Sequence, residues 1–117
     1  MTNIEEYKIT IIQGETWKLT MTLTNDDGTV IDLTGYQIKM QIRKDYNDVL
    51  YQELSSNDST IDLSDASQGI VYFNLDSTQT AGYDFDIAYY DIKFISTDDI
   101  VRYYIKGAVQ LNRSITI

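Results

Sequence analysis

Trp17-Lys18-Leu19-Thr20-Met21-Thr22-Leu23-Thr24 and Tyr36-Gln37-Ile38-Lys39-Met40-Gln41-Ile42-Arg43 are the two stretches that decide the fold. In each, apolar and polar residues alternate one by one. Side chains of an extended chain point to opposite faces in turn, so each stretch offers one face to a core and one to water. That is what an antiparallel strand with one solvated face requires. A helix of 3.6 residues per turn would scatter the same apolar residues around its circumference. Both stretches are strands.

On either side of them, similar patterns predict strands at Tyr7–Ile12, Val49–Leu54, Ile70–Leu75, Ile87–Ile95 and Ile100–Leu111, with short extended pieces at Thr29–Ile31 and Thr60–Leu63. The punctuation agrees. Asn25-Asp26-Asp27-Gly28 combines side chains that bond to nearby amides with a residue able to take positive φ, which closes a hairpin. Ser96-Thr97-Asp98-Asp99 reads as a second hairpin turn without glycine. Asp76–Gly82 reads as one helical turn, capped by Asp76 or Ser77 and ended by Gly82 at C′. Trp17 lies on an apolar strand face and reads as core.

These elements predict an all-β fold, an immunoglobulin-like antiparallel β-sandwich of about seven to nine strands with one short helical turn. The 117 residues suit one domain, 1–117, with possible arms at 1–6 and 113–117. There is no cysteine, so the disulfide of antibody domains is missing and the likeness is one of architecture.

Composition narrows the chemistry. With no His and no Cys, the commonest general base, the commonest metal ligand and the thiol nucleophile are all absent. A Ser-His-Asp triad cannot form. Asp84 with Asp86, and Asp62 with Asp65, are spaced like turn and capping residues rather than carboxylates converging across a cleft. Acidic turns such as Asn25–Asp27 and Asp98–Asp99 offer oxygen ligands without the spacing of a calcium loop. The expectation is a protein with no catalytic residues, no metal and no cofactor. Nine Lys and Arg against 18 Asp and Glu give a net charge of −9, which disfavours nucleic acid and anionic membrane as partners. Met1–Glu6 lacks the features of a signal peptide, so synthesis as a soluble cytoplasmic chain is expected.

Gln13-Gly14-Glu15-Thr16, then an alternating strand, Asp27-Gly28, Asp32-Leu33-Thr34-Gly35 and a second alternating strand ending in Arg43, form an ordered set of motifs. Together with Gly69-Ile70-Val71-Tyr72-Phe73, the turn Ser77–Ala81 and Tyr89-Tyr90-Asp91-Ile92, this order resembles the N-terminal, immunoglobulin-like module of the phage baseplate upper protein family. The resemblance spans roughly Lys8 to Leu111 and its motifs are short and turn-like. It implies a virion protein of a tailed bacteriophage, present in several copies. Its partners would be other phage structural proteins: tail, neck, baseplate or fibre subunits. Long members of that family continue into helical or fibre-forming regions, whereas this sequence stops at Ile117. Physics accounts for the motifs as turns: Leu33 plugs a core edge while Asp32 and Thr34 satisfy amides and Gly35 bends left-handed.

Two features are expected to meet partners. Tyr89-Tyr90 and Tyr103-Tyr104 must each place one ring inward and one outward; Tyr90 and Tyr104 are assigned to the partner-binding face. Exposed Tyr suits protein interfaces and also stacks on sugars, so a carbohydrate-binding or adhesin-like module is the alternative. The last strand, Ile100–Leu111, reads as a long edge on which a further strand forms, with Gly107 marking a bulge or close approach. Ser114, Ile115, Thr116 and Ile117 alternate with no partner evident in the domain, and are expected to add a strand to a neighbouring subunit.

Overall fold

Trp17–Thr22 and Gln37–Arg43, alike in pattern, belong to different sheets on either side of one core. The computed structural model describes residues 5–46 and 48–116. Its strands are β1 (Glu5–Glu6), β2 (Ile9–Ile12), β3 (Trp17–Thr22), β4 (Gln37–Arg43), β5 (Leu50–Ser55), β6 (Ile61–Asp62), β7 (Ile70–Leu75), β8 (Ile87–Ile95) and β9 (Val101–Asn112). The large sheet runs β1-β9-β8-β4-β5, with β2 also on β9; the small sheet runs β3-β7-β6. This is an immunoglobulin-like sandwich, with the small sheet in the B-E-D order and the large one in the G-F-C-C′ order. β1 and β2 both run parallel to β9. All other pairings are antiparallel.

The inward face of each strand supplies the core. Ile38, Met40 and Ile42 of β4 and Ile92 and Phe94 of β8 meet Val71, Phe73 and Leu75 of β7, all essentially without solvent contact. Close packing of this kind makes each buried aromatic worth several kcal/mol, about 3–5 on truncation to Ala.

The turns carry their own chemistry. Asp32 Oδ1 accepts from the Thr34 amide at 2.9 Å and its hydroxyl at 2.6 Å, which holds the Asp32 carboxyl below its usual range. Leu33 is fully buried beside it, and Gly35 follows at φ 81°. Asp27 treats Thr29 in the same way. The helical turn, α1, spans Ser77–Ala81 under a reciprocal cap: the Gln79 amide donates to Asp76 and the Asp76 amide to the Gln79 side chain.

Several expectations change. Gly82 ends α1 with φ −81°, a right-handed conformation, because its own N–H closes the last turn and no left-handed residue is needed. A 3-10 turn at Ala66–Gln68 was not legible. Thr29–Ile31 forms no strand; only a single Thr24–Val30 bridge closes the Asn25–Gly28 turn. Glu5 and Glu6, expected in an arm, pair with Ile105 and Lys106. Residues 1–4 of that arm lie outside the described residues.

Candidate docking surface

The outward face of the large sheet gathers the exposed aromatic rings. Cross-strand register puts Tyr89 between Arg43 on β4 and Ala108 on β9. One row further, Glu53, Gln41, Asp91, Lys106 and Glu6 form a ladder across β5, β4, β8, β9 and β1. In the next row Lys39 faces Lys93, and Lys93 faces Tyr103. Tyr46, in the β4–β5 turn, closes the rim and is 84% exposed. Between these residues lies an open depression of about 530 Å³ lined by Arg43, Tyr46, Tyr89, Asp91, Tyr103 and Lys106.

A hydrogen-bond chain stiffens one side of the surface. Arg43 donates twice to Gln41 Oε1, at 3.1 and 2.8 Å, and once to the Asp48 carbonyl at 2.9 Å. Gln41 in turn donates to Glu53 at 2.7 Å. Asp91 sits in the middle. Asp91 is solvent-exposed, yet partial desolvation by its neighbours raises its carboxyl above the usual range, and Arg43 and Lys93 pull it partly back. Exposed phenols around a hydrogen-bonded ladder of charged and polar residues can stack on planar groups, hold cations over their rings and donate hydrogen bonds.

The placement of the tyrosines corrects the sequence assignment. Tyr90 is 4% exposed and points into the core; Tyr89 is its outward neighbour at 49%. The Tyr90 hydroxyl donates to the Tyr7 carbonyl at 2.6 Å, and burial raises its pKa. Parity holds the reason: Tyr90 shares its face with Ala88, Ile92 and Phe94, while Tyr89 shares its own with Asp91 and Lys93. That signal was present in the sequence. Tyr104 is half-buried against Phe94, ring centroids 5.1 Å apart, whereas Tyr103 is 42% exposed. Here parity misleads. A bulge opposite Ile92 and Lys93 inserts Tyr104 as an extra residue and inverts the facing of the strand before it.

The second correction concerns β9. From Ile105 onward it is no edge: β8 pairs with it on one side and β1 and β2 on the other. Gly107 marks a close approach, since a Cβ there would lie 2.2 Å from the Tyr7 carbonyl oxygen. The segment after β9 is partly held by its own domain. Arg113 donates to Asp86 Oδ1 at 3.1 Å and to the Asp84 carbonyl. Ser114 donates from its amide to Gln13 Oε1 at 3.2 Å and from its hydroxyl to the Gln13 carbonyl. Ile115 is completely exposed, and Thr116 is exposed. Ile117 lies outside the described residues.

Several acidic residues are engaged locally within their own loops and strands. Asp62 accepts from the Ser64 amide, Asp65 from the Tyr72 hydroxyl and Asp58 from Thr60. Among the described residues no three carboxylates gather as metal ligands.

The topology and surface define an immunoglobulin-like β-sandwich with a tyrosine-bearing sheet face. No family model matches the chain, and no curated protein matches it. Among solved structures it is similar to the ZIG-8–RIG-5 IG1–IG1 heterodimer, at 13% identity over 97% of this chain and 87% of that one, with a TM-score of 0.39.

Proposed function

We propose that this chain is a non-enzymatic docking domain: an adaptor of a tailed-phage virion that joins tail, neck, baseplate or fibre subunits. The observation that carries the docking role is the outer face of the large sheet, where Tyr46, Tyr89 and Tyr103 stand exposed around an open depression. Tyr combines large contact area with a hydrogen-bonding tip at low entropic cost, and so is enriched at interfaces. The non-catalytic reading is supported by the absence of His and Cys and by the use of Asp27, Asp32, Asp58 and Asp62 as acceptors of turn amides. The virion assignment is supported by the ordered turn motifs at Gln13–Thr16, Asp27-Gly28 and Asp32–Gly35.

The test uses particles assembled in cells that express the chain with its neighbouring genes. The expected result is several copies per particle, with lysine cross-links from Lys93 or Lys106 to a tail, neck, baseplate or fibre subunit. Replacing both Tyr89 and Tyr103 by Ala should remove the chain from the particle while leaving it folded. Absence of the native chain from purified particles overturns the assignment. The same exposed phenols favour the carbohydrate alternative, which a glycan array establishes if binding disappears in the Tyr89→Ala/Tyr103→Ala variant.

A further inference from the structure

We propose that the outward face of the large sheet takes a second copy of this chain, the two faces meeting about a two-fold axis. This names the occupant of the docking face described above. It rests on the reading of that face as a docking surface, and not on the virion assignment.

The first observation is how charge is distributed. The outward rows of the large sheet hold Lys39, Arg43, Lys93 and Lys106 against Glu6, Glu53 and Asp91. Four of the nine cations and three of the eighteen acids thus stand on one face, which leaves five cations against fifteen acids elsewhere. The acidic remainder of one copy repels that of another and draws basic partners to itself. This face, near neutral and of mixed sign, is where two copies can approach without net repulsion.

The second observation is the register, which makes the face complementary to itself. Along β8 the outward residues run Tyr89, Asp91, Lys93 and Ile95; beside them on β9 lie Ala108, Lys106, Tyr103 and Val101. Consider a two-fold axis across the strands, midway between the Asp91 and Lys93 rows. It lays each row of one copy on the row equally far beyond the axis in the other, residue i on j and j on i. Asp91 of each copy then faces Lys93 of the other. Lys106 lies over the Tyr103 ring, Tyr89 meets Ile95 and Ala108 meets Val101. Opposite charges pair, a cation meets a phenol, and apolar residues meet apolar ones. Among the described residues none of Asp91, Lys93 and Lys106 is in an ion pair, so the contact breaks none.

The axis also suits sheet packing. It keeps the strands of the two faces aligned and antiparallel, as stacked sheets prefer. An axis along the strands, between β8 and β9, would set Asp91 against Lys106 but leave β5 with no strand opposite. Five strands about 4.8 Å apart, each with about seven residues rising about 3.4 Å, give roughly 600 Å² per copy. A stable interface uses about 800 Å² per partner, so the pair should be weak and reversible.

The experiment is sedimentation equilibrium of the full chain at concentrations up to about 1 mM, where weak association registers. The native chain should exceed monomer mass increasingly with concentration. Asp91→Lys sets cations against cations across the axis, and Lys93→Asp sets acids against acids. Each should weaken association about tenfold or more. An equimolar mixture of the two variants restores opposite charges at both contacts and should associate like the native chain. The double exchange Asp91→Lys/Lys93→Asp should do the same. Misfolded variants could not recover in this way. Monomer mass at every concentration, no recovery in the mixture, or association lost in Asp91→Lys but unaltered in Lys93→Asp would each overturn the proposal. The particle assay keeps the two readings apart. Native monomers, together with loss of the Tyr89→Ala/Tyr103→Ala variant from particles, overturn the pairing and leave the docking face standing. Recovery in the mixture supports the pairing even where that variant still enters particles.

Discussion

Along the outer side of β9, β1 and β2 run parallel to it and cover its backbone from Ile105 to Asn112. Along the outer side of β3, no described strand does the same. β3 alternates strictly while β9 does not, and the sequence pattern marked β9 as the long open edge. What separates them is a pair of details at one crossing: Gly107, which lets the Tyr7 backbone come close, and the Tyr90 hydroxyl, which holds it there. A seam is closed where one missing side chain and one hydroxyl permit it. Alternation fixes which face of a strand is apolar, but it says nothing about which neighbour lies alongside.

The largest expected effect is therefore at Gly107. A valine would put carbon into the Tyr7 carbonyl and against the Tyr90 ring, so β1 and β2 must move off β9 or the strand must buckle. Overpacking of this severity costs about 3 kcal/mol. Urea denaturation should show it as a lower midpoint, and hydrogen exchange should show faster loss of protection from Tyr7 to Ile12. Gly14→Ala is the matched comparison. Its Cβ meets nothing within 4 Å, but φ is +83°, so it should lose only the conformational share, about 1 kcal/mol. Equal losses at the two glycines would break the account of β9 as a sealed seam.

Tyr90→Phe comes next. It keeps the ring in the core and removes only the donor to the Tyr7 carbonyl, at an expected cost of about 1 kcal/mol. Tyr89→Phe alters a hydroxyl in an exposed ring and should stay within about 0.5 kcal/mol of the native chain. The pair of measurements, made by the same denaturation assay, reads the inward and outward members of one doublet directly. Comparable losses would mean that the facing of Tyr89 and Tyr90 is not as described.

Much of this was legible in the residues. The alternation at Trp17–Thr24 and Tyr36–Arg43, the cap at Asp76 and the bends at Gly14, Gly28, Gly35 and Gly69 each rest on local chemistry, and all four glycines do take positive φ. The strand limits at Ile70–Leu75 and Ile87–Ile95 agree with the structure residue for residue. The docking surface was harder. Tyr89 follows from parity with Asp91 and Lys93, yet Tyr103 does not, because the bulge at Tyr104 shifts the count by one and nothing local announces it. Sealing of β9 depends on residues about a hundred positions apart. Tyr46 stands in the link between β4 and β5, where Arg43 also donates to the Asp48 carbonyl, a contact that no local pattern announces.

The smallest expected effect separates the two outer faces by charge. Asp91, exposed at the centre of the face of the large sheet, has its carboxyl raised above the ordinary value by partial desolvation, with Arg43 and Lys93 only partly offsetting this. A carboxyl with a raised folded-state pKa binds its proton more tightly in the folded chain than in the unfolded one. Folding is therefore relatively favoured while Asp91 is protonated, and that advantage is lost as pH climbs from the ordinary value through the raised one. Asp91→Asn should accordingly raise the thermal midpoint slightly near neutral pH, and the gain should shrink to nothing as the pH falls below the ordinary carboxylate range. Asp32, in the turn that buries Leu33, has the opposite sign: hydrogen bonds from Thr34 lower its pKa, so its ionised form stabilises the fold above the ordinary value and that support fades in acid. Asp32→Ala should lower the midpoint near neutral pH, by an amount that diminishes as the solution is acidified. Thermal melts of both variants at several pH values give two slopes of opposite sense. Slopes of the same sense would mean that attraction to Arg43 and Lys93 outweighs the partial desolvation of Asp91.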